Sequence, residues 1–367
     1  MSYDVKKHAQ VIVNYSLEIK KGDWILINAQ AICEPLVMAI KKEAVIIGAQ
    51  VTSLIGFEGD SEQYFENASD EFLGEASKLM DLLVDKIDAF ISIGGSYNVK
   101  ELEDIEPEKI ALSASSEQKM NEVFFKRMNE GTLKVVITEF PTSAKAQEGN
   151  MSLKAYNKFV GDAMLLGEED CISAWNKIHD EQQIFCDYLN EVEQLHIVSD
   201  DTDLTMSVKG RKWVNCDGRI NFPDGEVFTG PVEDSVNGKI RFSYPGMYMG
   251  KAIEDIRLEF KDGKVISAIA KEGDEILQTI LEVDEGVRFV GEIAVATNYG
   301  ITEFTRNMLF DEKIGGTVHL ALGNSLPGTG GENESVIHWD LLCDMHEKGA
   351  IYADNKLIYE KGKWLIG

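Results

Sequence analysis

The chain has no long apolar run, no closely spaced cysteines and too few basic residues to balance its acids. Each of these absences removes a class of protein. No stretch approaches the roughly 20 apolar residues that a membrane helix needs. The opening segment, MSYDVKKHAQVIVNYSLEIKKGD, mixes polar and apolar residues within a few positions, so no signal core is expected there. Cys33, Cys171, Cys186, Cys216 and Cys343 are odd in number and scattered, and no pair has CxxC spacing. Neither a zinc knuckle nor a disulfide framework is expected, and reduced thiols in a cytoplasm fit this usage. Lys and Arg total 36 against 63 Asp and Glu, a net charge of −27. Such a surface repels phosphate backbones, so nucleic acid and anionic membranes are poor partners, whereas metal ions and free amino groups are attracted.

What is present reads as a folded protein of 367 residues, long enough for two domains. The first half alternates strand-like and helix-like segments. Residues 2–17 predict an amphipathic helix, and Asp23 to Asn28 a short buried strand. Pro35 opens a helix with Leu36, Val37, Ile40 and Ala44 on one face. VTSLIGF, DAFISIGG (88–95) and LKVVITEF (133–140) supply further strands, and residues 151–192 read as one continuous helix. Strands spaced by helices predict an α/β domain with a doubly wound parallel sheet, over residues 1–190. From residue 191 to 367 the chain changes to short apolar runs broken by turns, a strand-rich α+β domain. KDGK (261–264) marks a hairpin there, because Asp-Gly supplies the positive φ angles of a tight turn. Gly94 and Gly95 end a strand but do not form GxGxxG, so dinucleotide binding is not expected.

The chemistry-bearing residues fall after residue 220: Glu226, Glu292, His319, His338 and Asp340. Imidazoles with carboxylates suit Zn, Co or Mn. His338 and Asp340 are two apart, so on an extended strand both side chains point to one face. Taken singly, these residues have ordinary explanations. A His near an Asp is usually a surface residue, a glutamate after a Pro-Asp-Gly turn is usually solvated, and His319 in HLALG could be a satisfied core histidine. Glu292 is harder to dismiss, because it stands in the apolar run Val290 to Ala296, where an unpaired carboxylate is costly.

The blocks GEVFT (225–229), GEIA (291–294), LFDE with HLALG (309–323) and IHWD (337–340) occur in order, with Glu292 standing 66 positions after Glu226. With KGDWILIN and EPLV–GAQV in the first half, the pattern resembles the aminopeptidase T family of metallopeptidases along nearly the whole chain. The resemblance implies a homodimeric aminopeptidase, acting on peptides with a free N-terminus. It also implies two divalent ions held by Glu226, Glu292, His319, His338 and Asp340. Five side chains serve two metals only if a carboxylate bridges, and Asp340 and Glu292 both remain open for that role. Glu292 is also the candidate proton acceptor, if it is not purely a ligand. One departure stands out. The family's tyrosine, seven residues after the histidine, is here Leu326. A phenol there would stabilise the tetrahedral intermediate, so Leu326 puts full activity in question. Tyr244, Tyr248 and Tyr299 are the possible substitutes.

Overall fold

The computed structural model describes residues 3–367, so the first two residues of the chain, including the start of the predicted 2–17 helix, lie outside it. The chain divides into two compact units. One is Met1–Ile172 with Gly218–Phe222, and the other is Ser173–Asp217 with Pro223–Gly367.

The first unit is built on a five-stranded sheet whose paired strands all run parallel. Trp24–Gln30 lies between Gln50–Gly56 and Ala89–Gly94, followed outward by Lys134–Glu139 and the short Asn221–Phe222. Four of these strands are the predicted ones. The fifth comes from a distant part of the chain, and strand propensity over two residues is too weak to announce it. The helix Glu34–Ile47 starts at Pro35 and buries Leu36, Val37, Ile40 and Ala44, as the 3.6-residue period requires. Gly48 ends it at φ 95°, a left-handed cap that favours glycine. Gly94 and Gly95 serve packing. A Cβ on Gly94 would lie 2.3 Å from Glu139 Oε2, and one on Gly95 would lie 2.5 Å from Cys33 Sγ.

The predicted continuous helix over 151–192 is two helices, Leu153–Ala163 and Cys171–Leu189. Leu165 turns the chain at φ 54°, and the Leu166 N–H bonds back to the Gly161 carbonyl at 2.8 Å. Met164 and Leu166 are both buried, so the apolar rhythm runs on through the break and hides it. No helix among the described residues is long and apolar enough to cross a membrane.

The second unit carries an eight-stranded sheet, a five-stranded sheet and a small two-stranded ribbon. The KDGK hairpin joins Ile256–Lys261 to Lys264–Ile269, with Asp262 at φ 49° and Gly263 at φ 81°. The five-stranded sheet is antiparallel and ordered His338–Asp344, Thr317–Gly323, Val290–Ala296, Glu226–Thr229, Val214–Cys216. One of its faces supplies Val227, Ile293, Val295, Val318, Leu320, Leu322, Trp339 and Leu341 to the unit's main core. The other face carries the polar residues.

Candidate metal centre

Cross-strand register collects Glu226, Glu292, His319, His338 and Asp340 on that second face. Glu226 pairs with Ala296, His319 with Ala294, and His338 with Gly323; Ala321 lies between Glu292 and Asp340 and pairs with both. Directly paired residues share a face, so each large polar side chain stands across from a small one that leaves it room.

Glu292 reaches this face through a β-bulge. Val290 pairs with Leu322, a core-facing residue, yet Glu292 pairs with Ala321 on the polar face. Strict alternation would put residues 290 and 292 on the same side. The register shift at Gly291 reverses this, as an extra residue in one strand must. Gly291 is needed there, because a Cβ would lie 2.3 Å from the Gly323 carbonyl oxygen and 2.4 Å from that of Asn324.

The side chains then form two donor groups. Glu226, Glu292 and His319 present ligand atoms within 4.8 Å of one another, and so do Glu292, His338 and Asp340. Glu292 belongs to both. Its Oε1 lies 3.2 Å from His319 Nε2 and its Oε2 lies 3.4 Å from His338 Nε2. Glu226 Oε2 is 3.4 Å from His319 Nε2, and Asp340 Oδ1 is 3.5 Å from His338 Nε2. His338 Nδ1 lies 2.8 Å from the Asn324 carbonyl, which can only accept. Nδ1 therefore carries a proton, and Nε2 is the ring nitrogen turned toward the carboxylates and the one that a cation would take once its proton leaves.

The electrostatics are those of a crowded acidic site. Burial raises Glu292, but hydrogen bonds from His319 and His338 outweigh it and its pKa is lowered. Burial likewise raises Asp340, and His338, His319 and Lys313 bring it below the ordinary value. Burial pulls both histidines down, yet the carboxylates prevail and push His319 up to about 9 and His338 up to about 11. Glu226 is raised by burial to about 8 and Asp224 to about 7.

Residues 1–364 match the family described as thermophilic metalloprotease (M29). The chain belongs to that family. It is 27% identical to aminopeptidase 2 of Geobacillus stearothermophilus, over 98% of this chain and 97% of the relative. It is 25% identical to aminopeptidase T of Thermus thermophilus, over 99% and 98%. The fold matches that of wild-type AmpT from Thermus thermophilus, with a TM-score of 0.86 at 22% identity over 99% of both chains. A 2,5-dihydroxypyridine dioxygenase from Pseudomonas putida shares the fold at a TM-score of 0.59 and 13% identity, over 98% of this chain and 96% of that one. A fold common to such different proteins leaves the chemistry to the site.

Membership in the M29 family implies divalent metal, and the donor set fits it. Glu226 Oε2 and Glu292 Oε2 are buried and make no well-formed hydrogen bond, each having only an imidazole nitrogen at 3.4 Å. Buried polar atoms normally make one, and oxygens left open beside imidazoles suit a cation.

Four further residues crowd the site, three of them within or beside its motifs and one, Gln182, on a distant helix. Asp224 is buried one residue before the turn glycine, and its Oδ1 accepts from the Gly225 N–H at 3.0 Å. Glu312 and Lys313 pair directly, and Lys313 is fully enclosed. Gln182 is buried on the Cys171–Leu189 helix. It donates to the carbonyls of Cys216 and Glu226 and accepts from Thr297 Oγ1, tying the edge strand Val214–Cys216 to its neighbour Glu226–Thr229 and to the end of Val290–Ala296. An unbroken charged triplet, DEK, ahead of a buried strand was the available signal for Glu312 and Lys313. Gln182 gave none. His179, given no chemistry from sequence, pairs with Asp217 at 2.7 Å.

Proposed function

We propose that the protein is an aminopeptidase that removes N-terminal residues from peptides, using two divalent ions held by its C-terminal unit. One ion is assigned to Glu226, Glu292 and His319, the other to Glu292, His338 and Asp340, with zinc, cobalt or manganese as the candidates. The observation that carries this reading is the membership of Glu292 in both donor groups. Of the two carboxylates open for the bridge, this position favours Glu292. The ions, when bound, supply Lewis-acid polarisation and a water acidic enough to ionise near neutrality.

The chain's own residues do the rest. Glu226, Glu292 and Asp340 make the site attractive to a free α-amine, which an internal peptide cannot offer. A carboxylate must accept the proton of the attacking water and return it to the leaving amine. Glu292 serves if one of its oxygens remains free. Glu312, outside both donor groups but within electrostatic reach of Asp340 and His319, is the other acid at hand. Five unpaired cysteines among the described residues support a reducing, cytoplasmic setting, and the homodimer stands on the family resemblance.

The test is release of chromophore from leucine p-nitroanilide. Activity should vanish on chelation, return with added cobalt, zinc or manganese, and be absent on the N-acetylated substrate. Equal cleavage of the acetylated substrate would refute the exopeptidase assignment.

A second reading is a slow relative that binds metal and peptide but turns over poorly. Leu326 favours it. This residue sits in a loop two positions past Asn324, whose carbonyl holds His338. Tyr299 does not stand free to replace the missing phenol, since its hydroxyl donates to the Gly362 carbonyl at 2.7 Å. Leu326→Tyr should therefore raise kcat without changing metal content, by up to the 10²-fold or so attributed to one donor on a developing oxyanion. Tyr299→Phe should leave kcat alone and cost about 1 kcal/mol of stability. A fast wild type, slowed by Tyr299→Phe and unaffected by Leu326→Tyr, would overturn this reading.

A further inference from the structure

Lys313 follows the short helix Met308–Asp311, and its side chain is enclosed, 0% exposed. Its Nζ pairs with Glu312 Oε1 and lies 3.9 Å from Asp224 Oδ1 and 3.9 Å from Glu226 Oε1. The same side of Glu226 carries a third donor group. Cys216 Sγ and carboxylate oxygens of Asp224 and Glu226 lie within 4.8 Å of one another. A thiolate with two carboxylates is a credible zinc or cobalt ligand set. Here, however, an ammonium already stands against two of its three members.

We propose that Lys313 is a built-in cation, which takes the place of a metal ion on the Asp224 side of Glu226 and confines metal to the two groups joined by Glu292. The carboxylates that would attract a third ion are already compensated, and an arriving divalent cation meets a like charge that cannot swing out to water. The lysine also positions Glu226. With Oε1 turned to Lys313, Oε2 is the oxygen 3.4 Å from His319 Nε2, so Glu226 offers one defined oxygen to its donor group. Lys313 is thus a positioning residue that acts through Glu226. The count of two ions in the wild type rests on the proposed function. The role of Lys313 in closing the third group does not.

The test is cobalt titration of the metal-free, full-length protein, followed by bound-metal analysis and absorption spectroscopy. In saturating cobalt the wild type should show no thiolate-to-cobalt charge-transfer band. The double variant Lys313→Met/Glu312→Gln removes one positive and one negative charge together, keeping the local balance while leaving the three donors intact. It should bind one more equivalent than the wild type and display the band, and a further Cys216→Ser should abolish both changes. Lys313→Arg, which keeps the charge, should remain without the band. A thiolate band in the wild type would overturn the proposal. So would a folded double variant with unchanged stoichiometry and no band. Should the double variant fail to fold, the wild-type and Lys313→Arg spectra still decide, since a band in either contradicts a cation that excludes metal. Failure of the two-metal reading would show separately, as a wild type binding fewer than two equivalents.

Discussion

Glu292→Gln should strip metal from both donor groups and lower turnover at least about 10²-fold, whereas His338→Ala should empty only one group. The asymmetry comes from the sheet. Glu292 Oε1 faces His319 and Oε2 faces His338, so a single side chain serves both groups. The amide keeps the shape but loses the charge, and it replaces one oxygen with an N–H donor that cannot ligate. His338, at the strand end and one-quarter exposed, belongs only to the group with Asp340. Asp340→Ala should match it. Metal analysis after gel filtration reads the result directly, and thermal melting should fall in step with metal loss, because an ion that binds only the folded chain stabilises it. Two equivalents retained by Glu292→Gln with turnover lost would assign Glu292 to proton transfer and remove it from the ligand set. Two equivalents retained by all three variants would sink the proposed site.

The chelated and metal-loaded proteins should respond to pH in opposite directions. In the chelated protein Asp224 and Glu226 are raised by burial to about 7 and about 8, while the carboxylates lift His319 to about 9 and His338 to about 11 against burial. All four values lie above the unfolded references, roughly 4 for carboxylates and 6.5 for histidine. A raised group stabilises the fold fully below its unfolded pKa and loses that contribution as pH climbs through its folded pKa. The chelated protein should therefore lose stability from about pH 5 upward, the Asp224, Glu226 and His319 contributions being gone by about pH 9 and that of His338 by about pH 11. Glu292 and Asp340 are lowered, so their contribution is lost only in acid, below this window. Metal binding needs neutral imidazole and ionised carboxylate, so its stabilisation grows as pH rises. The two melting curves should diverge with pH, and their difference cancels the titration of the rest of the molecule. Loading at pH 7 should also release about three protons, one from each histidine and one from Glu226. Calorimetry in buffers of different ionisation enthalpy measures that release. Parallel melting curves and no proton release would refute the assignment of both histidines as ligands.

Most of the elements of this protein, and the chemical types in its site, are legible in local sequence. Apolar rhythm and turn residues fixed the helix at Pro35, the KDGK hairpin and four of the five strands of the parallel sheet, because these depend on neighbours within a few positions. The apolar surroundings of Glu292 and the spacing of His338 and Asp340 marked residues in need of a partner. The tertiary structure decided how they meet. The helix break at Leu165 is silent in the sequence because the apolar rhythm continues through it. Strand Asn221–Phe222 joins a sheet whose other strands end by residue 139, a pairing that no local signal encodes. The bulge at Gly291 turns Glu292 from the core face to the polar face, and period-two patterning cannot foresee a register shift. The charge on Lys313 acquires its meaning only from Asp224 and Glu226, 89 and 87 positions earlier in the chain. Local patterning reports what each side chain needs, but only the folded register places the partners that satisfy it.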